Sequence, residues 1–255
     1  MNSPRKLADD IIEEDFWSRL RSWTDARIAL GRSGTSLRTR EVLGFQMDHA
    51  KARDAVHQVL DQQAVFGGLQ YLSIESRAAT RAVFLQRPDL GRLLSQKSEE
   101  ALLSKTGKEY DLCFTVSAGL SSTAIAENFV PFWQTFTSLL EKLGLSVGPL
   151  CYVEQGRVAI GDHVAQTLGA LLSVVIIGER PGLSSPDSMG IYLTYAPGVG
   201  TTDESRNCIS NIRPAGLSYK DAAAILCALI EQALRRGLSG VDLKVDSALQ
   251  GALEK

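Results

Sequence analysis

The chain is poor in the features that would settle its class at a glance. It has 4 cysteines in 255 residues, at positions 113, 151, 208 and 227. None forms a Cys-x-x-Cys pair, so neither a zinc ribbon nor a redox dithiol is indicated, and free thiols in a reducing compartment are the simplest reading. There are 3 histidines, and the formal net charge is −2. A nearly neutral chain gives no electrostatic case for nucleic acid or an acidic membrane surface. No apolar run is long enough to span a bilayer. The first fifteen residues mix charges of both signs and lack the apolar core of a secretory signal. The expectation is a cytoplasmic protein with no nucleic-acid or membrane partner.

Catalytic signatures are scarce as well. No Gly-x-Ser-x-Gly elbow occurs, and no Gly-x-Gly-x-x-Gly follows the first strand of the second half, so neither a serine hydrolase nor a nicotinamide dinucleotide site is favoured. Gly31-Arg32-Ser33-Gly34-Thr35-Ser36 has the look of a phosphate loop but lacks the lysine and spacing of one. His49, Arg53 and His57 share a helix face. The two histidines, however, lie roughly 12 Å apart along the axis, too far to share one ion. No catalytic residue and no metal ligand is assigned.

What is present is a 44% hydrophobic composition with room for a real core. Ala8, Ile11, Ile12, Phe16 and Leu20 recur at helical spacing, so residues 1–24 read as a lead that could dock or target the chain. Residues 25–108 read as a helical region. Thr39 is placed to cap a helix over 40–57, and 71–106 reads as helical with a break at Pro88. From 109 onward strands and helices alternate. Strands are expected at 111–116, within 148–158, at 171–177, at 190–195 and at 208–212. Helices are expected at 124–143, with a kink at Pro131, at 162–168 and at 219–236. The tail from Asp242 reads as polar and loosely held. This order is the signature of an α/β fold: an N-terminal helical region followed by a Rossmann-like three-layer domain with a mostly parallel sheet.

The most telling stretch is Val174-Val175-Ile176-Ile177-Gly178-Glu179-Arg180-Pro181-Gly182. Four branched apolar residues make a strand buried on both faces. Gly178 and Pro181 end it sharply. Ligands of open α/β sheets bind beyond the carboxyl ends of strands, where Glu179 and Arg180 would stand. Two readings of that pair are open: ligand-facing groups, or a solvated loop ion pair of little consequence. His163 follows Asp162 directly, so the Asp-x-His-x-x-Gly loop that ligates cobalt in some cobalamin domains is not met. His163 reads as a capping or surface residue. A crevice without a catalytic cluster points to a binding subunit that assists a partner.

Several longer motifs are similar to one family. They include Ala26-Arg27-Ile28-Ala29-Leu30-Gly31-Arg32, Thr39-Arg40-Glu41-Val42-Leu43, His49-Ala50 with Ala52-Arg53-Asp54-Ala55-Val56, and Ser76-Arg77-Ala78-Ala79. Arg87-Pro88-Asp89-Leu90-Gly91-Arg92, with Phe84 before it, continues the series. The second half adds Gly156-Arg157-Val158-Ala159-Ile160-Gly161-Asp162, Ile177 through Leu183, and Asn207-Cys208-Ile209-Ser210-Asn211-Ile212. Across residues 25–241 the chain resembles the small (light) subunit of ethanolamine ammonia-lyase.

The resemblance implies a Rossmann-like cobalamin-binding domain at 109–255, adenosylcobalamin as cofactor, and a TIM-barrel large subunit as partner in a hetero-oligomer. Residues 25–108 would then contact that large subunit. The implied reaction takes ethanolamine to acetaldehyde and ammonia through a 5′-deoxyadenosyl radical, with the substrate chemistry on the large subunit and location within a bacterial microcompartment as a family-level extension. Three cofactor contacts carry over by motif: Val158, Glu179 and Cys208. Of these, only Glu179 stands out on physical grounds alone. One departure is visible: the family usually has an aspartate where this chain has Ala118. Two other readings stay open, a divergent scaffold without cofactor binding and a stand-alone Rossmann-like enzyme.

Overall fold

The computed structural model describes residues 16–107 and 109–244, which fall into two compact units divided between Lys51 and Ala52. Ala8, Ile11 and Ile12 of the lead, and the tail beyond Lys244, lie outside the described residues.

In the first unit a short helix α1 (Phe16–Leu20) is followed by a single turn at Arg21–Trp23. A minimal hairpin pairs β1 (Arg32–Ser33) with β2 (Ser36–Leu37), and Gly34 supplies the positive φ at its tip. Helix α2 begins here and spans Thr39–His57, with Thr39 as its first helical residue rather than its cap. Arg27 pairs with Asp48 and lies 5.2 Å over the Phe45 ring. Phe16, Trp17, Trp23, Leu43, Phe45 and Met47 are exposed, an unusual apolar load for one small unit.

The second unit is built on a six-stranded sheet in the order β3-β5-β4-β6-β7-β8. Its strands are β3 (Leu72–Ile74), β4 (Tyr110–Ser117), β5 (Cys151–Val153), β6 (Ala170–Gly178), β7 (Met189–Tyr195) and β8 (Arg206–Ile212). The first four in the order run parallel, with Thr115 opposite Cys151 and Thr115 opposite Val175. The last two are added antiparallel, with Tyr192 opposite Val175 and Cys208 opposite Tyr192. The fold is therefore α/β with a mostly parallel sheet, as the alternation of elements predicts.

The strand period of two divides the core. Leu112, Phe114 and Val116 of β4, with Leu172, Val174 and Ile176 of β6, face helices α6 (Ser122–Leu143) and α8 (Tyr219–Arg236). Cys113 and Val153 face the other way, toward α5 (Gln96–Leu103) and α7 (Ile160–Leu168). Three layers result. Side-chain caps start the long helices: Ser121 accepts from the Ala124 N–H and Ser218 from the Asp221 N–H, each at 3.1 Å. Along α6, Phe129 and Trp133 stack at 5.5 Å, and Trp133 meets Phe114 edge-on at 5.1 Å.

Three local expectations change. Residues 71–106 are not helical throughout. After the short helix α3 (Gln62–Phe66) they hold β3, then α4 (Arg81–Gln86) and α5. Leu72–Ile74 has too few residues to show a period, and it is a strand because β5 offers it a parallel edge. The strand expected within 148–158 covers only Cys151–Val153, leaving Val158 in the turn before α7. Helix α6 runs through Pro131 without ending.

At the end of β6 the chain is crowded. A Cβ on Gly178 would stand 2.0 Å from the Ser121 carbonyl oxygen and 2.5 Å from that of Ala118. Gly178→Ala is expected to cost about 3 kcal/mol, since neither backbone can give way cheaply. Urea unfolding measures it, and an unchanged midpoint would contradict the crossing.

Candidate functional site

The crowding has a purpose in the local geometry. Gly119, at φ +56°, takes the turn from β4 into α6 directly across the end of β6. The Leu120 N–H donates to the Gly178 carbonyl at 3.0 Å. Beyond this crossing lies a cavity of about 350 Å³ lined by Gly119, Leu120, Arg157, Val158, Ile177, Gly178, Glu179, Arg180 and Tyr192. A second cavity of about 750 Å³ shares Arg157 and Val158 with it and continues along Asp89, Arg92, Gly200 to Glu204 and Arg206. The two join into one groove at Arg157 and Val158, by the carboxyl end of the sheet where an α/β fold places ligands, and the larger cavity runs from there to the β7–β8 connection, which leaves from the amino end of β6.

Glu179 is held firmly within it. Ser188 donates its hydroxyl to Oε2 at 2.5 Å, and the Asn211 N–H approaches the same oxygen at 3.5 Å. Gly190 lies beneath: a Cβ there would come within 2.6 Å of Oε1. Oε1 has no hydrogen-bond donor among the described residues, so a fixed carboxylate keeps one acceptor open. Glu179 and Arg180 make no ion pair with each other. The loop ion-pair reading is thus set aside. The loop from Glu179 to Ser188 is pinned by its neighbours. Ser121 donates to the Pro186 carbonyl at 2.6 Å, and Asn128 donates to that of Asp187 at 2.8 Å.

The structure brings Val158 and Glu179 to one cavity. Cys208 stands beside it, exposed on β8 and opposite Tyr192. Burial of the sulfur and the nearby Glu179 carboxylate push the Cys208 thiol up, against the pull of Tyr192. Tyr192 itself is pushed up by burial and by Cys208. Sequence reading missed Tyr192 and Arg157 as groove residues. Their signals were slight: alternation along β7, and membership of the Gly156-Arg157-Val158 motif.

Comparison with known proteins now adds a decisive observation. A family model described as ethanolamine ammonia-lyase light chain (EutC) matches residues 14–244. The chain belongs to the ethanolamine ammonia-lyase light-chain family. An ethanolamine ammonia-lyase small subunit of Pseudomonas aeruginosa UCBPP-PA14 is 49% identical over 257 residues, covering 98% of this chain and 94% of that protein. One from Xanthomonas campestris pv. campestris ATCC 33913 is 51% identical over 238 residues, 90% of this chain and 88% of its own length. One from Azotobacter vinelandii is 48% identical over 239 residues, covering 91% and 88%.

Buried polar groups lie close to the groove. Asp162 and Arg206 form an ion pair with side chains only 2% and 3% exposed. Arg206 is also tied to Asp203 at 2.9 Å and to the Thr201 carbonyl at 2.8 Å. Burial pushes the Asp162 carboxyl up, and Arg206 opposes that shift. His163 is neither cap nor surface group: it is 7% exposed, and its Nδ1 accepts the Leu94 N–H at 3.1 Å. The amphipathic pattern of α7 places it inward, against the 90–95 segment. On the other side of β4, Ala118 is buried and lines a cavity of about 210 Å³ with Arg81, Ser122 and Glu154. Arg81 donates to the carbonyls of Gly119 at 2.6 Å and Val56 at 2.7 Å, but its buried Nη2 has no partner.

Asp162→Ala is expected to destabilise the fold by about 3–5 kcal/mol, because it leaves the Arg206 charge buried and one carboxylate short. Denaturant unfolding measures the loss, and a change below about 1 kcal/mol would mean the pair is not the fastener described here. Cys208 is expected to be the thiol alkylated fastest in the native protein, since Cys113 and Cys151 are buried. Its rate should keep climbing with pH past 9.0, the ordinary thiol value, instead of levelling off there. Glu179→Gln should accelerate it at fixed pH by removing the neighbouring negative charge. Iodoacetamide labelling followed by mass spectrometry gives both rates. A slower Glu179→Gln reaction would refute the coupling.

Proposed function

We propose that this chain is the small subunit of an ethanolamine ammonia-lyase that holds adenosylcobalamin against a large subunit carrying the substrate site, for conversion of ethanolamine to acetaldehyde and ammonia. The observation that carries this reading is the Glu179 carboxylate, fixed by Ser188 over Gly190 with Oε1 left open in the groove. Family membership supports the reaction class.

The residues fit such a cofactor. Its rim of amide N–H groups and hydroxyls offers donors, and an ionised carboxylate only accepts. Val158, half-buried at the junction of the two cavities, would give an apolar wall. Cys208 and Tyr192 would form a polarisable edge on the sheet face beyond it. When bound, adenosylcobalamin would supply the hydrogen-abstracting radical; the role of this chain would be to bind, orient and shield. The fixed loop from Glu179 to Ser188 supports orientation, because its geometry does not have to be assembled on binding.

A large-subunit partner is supported by the exposed aromatic and aliphatic side chains of the first unit. Patches of this kind mark protein contacts. The lead toward a microcompartment rests on residues that are mostly outside the described ones. No helix among the described residues is long and apolar enough to cross a membrane.

The test is reconstitution with a cognate large subunit and measurement of acetaldehyde from ethanolamine, each chain also assayed alone. Activity is expected only in the mixture with adenosylcobalamin. Glu179→Ala should raise the KM for adenosylcobalamin about tenfold or more, the worth of one charged hydrogen bond. Activity of this chain alone would overturn the proposal. A verified complex with no activity would turn the reading to a scaffold that has lost the cofactor.

A further inference from the structure

The groove contains three cations without acids. Arg157 lines both cavities, Arg92 lines the larger and Arg180 the smaller. None of the three has an ion-pair partner among the described residues. Of the acids nearby, two are paired with other arginines, and Glu179 of the smaller cavity is held by Ser188 rather than by a cation. Asp89 is paired with Arg87, and Asp203 with Arg206. Glu204, exposed at the far end, is the one carboxylate of the larger cavity outside such a pair.

Arg157 is also built into place. Its guanidinium lies 4.2 Å over the Phe84 ring, and one nitrogen donates to the Phe84 carbonyl at 3.1 Å. Its own N–H donates to the Gly91 carbonyl at 2.8 Å. Its Nη1 has no acceptor among the described residues. Burial, and repulsion from Arg180 and Arg92, make its charge harder to keep, so an anion among the three would relieve a cost that the fold carries.

We propose that Arg157, flanked by Arg92 and Arg180, is an anion subsite of the groove that takes a phosphodiester group. This rests on the cofactor reading above, and the phosphodiester is the one in the nucleotide tail of cobalamin. A planar guanidinium with a free edge and two further cations match a group of that charge and shape. The subsite would set which corrinoid is accepted: one with its nucleotide tail over one without.

The test compares adenosylcobalamin with adenosylcobinamide, which lacks the nucleotide and its phosphodiester. Each is titrated spectrophotometrically into the complex of this chain with its large subunit. Arg157→Gln is expected to weaken adenosylcobalamin about tenfold and leave adenosylcobinamide within about twofold. Arg157→Lys should recover part of the loss. The double variant Arg92→Gln, Arg180→Gln should show the same selectivity, weaker in size; both side chains are exposed, so it guards against a misfolded Arg157 variant. Equal weakening of both ligands, or of neither, overturns the subsite. Subunit dissociation on gel filtration, with the ratio of the two affinities unchanged, would assign the cations to acids of the large subunit and overturn it too. A wild-type complex that binds neither corrinoid removes the cofactor reading and this inference with it. One that binds both, with variants that show no selectivity, removes the inference alone.

Discussion

Two stretches of backbone cross at the end of β6 so closely that neither Gly119 nor Gly178 has room for a Cβ. The Leu120 N–H and the Gly178 carbonyl are paired at that crossing. The rest of the site depends on it. It lets the β4–α6 turn lie over β6, it aims Glu179 outward, and it forms the inner wall of the smaller cavity. A side chain at either position would push the turn away and open the sheet end to water. The glycines are thus where sequence, sheet geometry and groove meet.

Around that point the fold uses two kinds of support. Apolar packing of β4 and β6 against α6 and α8 supplies the bulk of the stabilisation, in proportion to buried area. Polar ties supply direction. Asn128, inside α6, receives the Tyr219 hydroxyl at 2.8 Å and reaches the Asp187 carbonyl, so one amide joins two helices and the site loop. Asp162 and Arg206 join α7 to β8 at the rim of the larger cavity. A buried pair of this kind adds little net stability compared with apolar packing, but it is costly to break from one side. Its place beside the groove fits a part that fixes geometry.

Much of this was legible. The branched run of β6 and the apolar stripe of α8 state their periods plainly, and their bounds come within one residue of expectation. Glu179 could be picked from its place after a strand-ending glycine. Other elements carry no local signal. Leu72–Ile74 is a strand only because β5 lies beside it, 79 residues on in the register of Leu72 with Cys151. His163 looked like a surface group because its partner, Leu94, comes from a distant segment. Val158 and Cys208 entered through family resemblance, since a valine in a turn and a lone thiol have no pattern of their own. Tyr192 and Arg157 were missed because each matters through what it faces across the sheet or groove.

The groove is uneven in charge, and that unevenness restricts what could occupy it. One wall offers an open carboxylate oxygen at Glu179, while the cations of the same cavity, Arg180 and Arg157, are left without ion-pair partners among the described residues. A simple anion would be drawn to the arginines and repelled by Glu179. A simple cation would meet the reverse. Mutual neutralisation across the cavity would have been the cheapest arrangement for an empty surface, and the fold does not adopt it: Ser188 and Gly190 hold the carboxylate down against β7, while Phe84 holds Arg157 on the other side. A ligand that satisfies both walls must be large, carry donors such as amides at one end, and carry negative charge at the other. That combination, more than the volume of either cavity, is what favours the proposed corrinoid with a phosphorylated tail over a small metabolite.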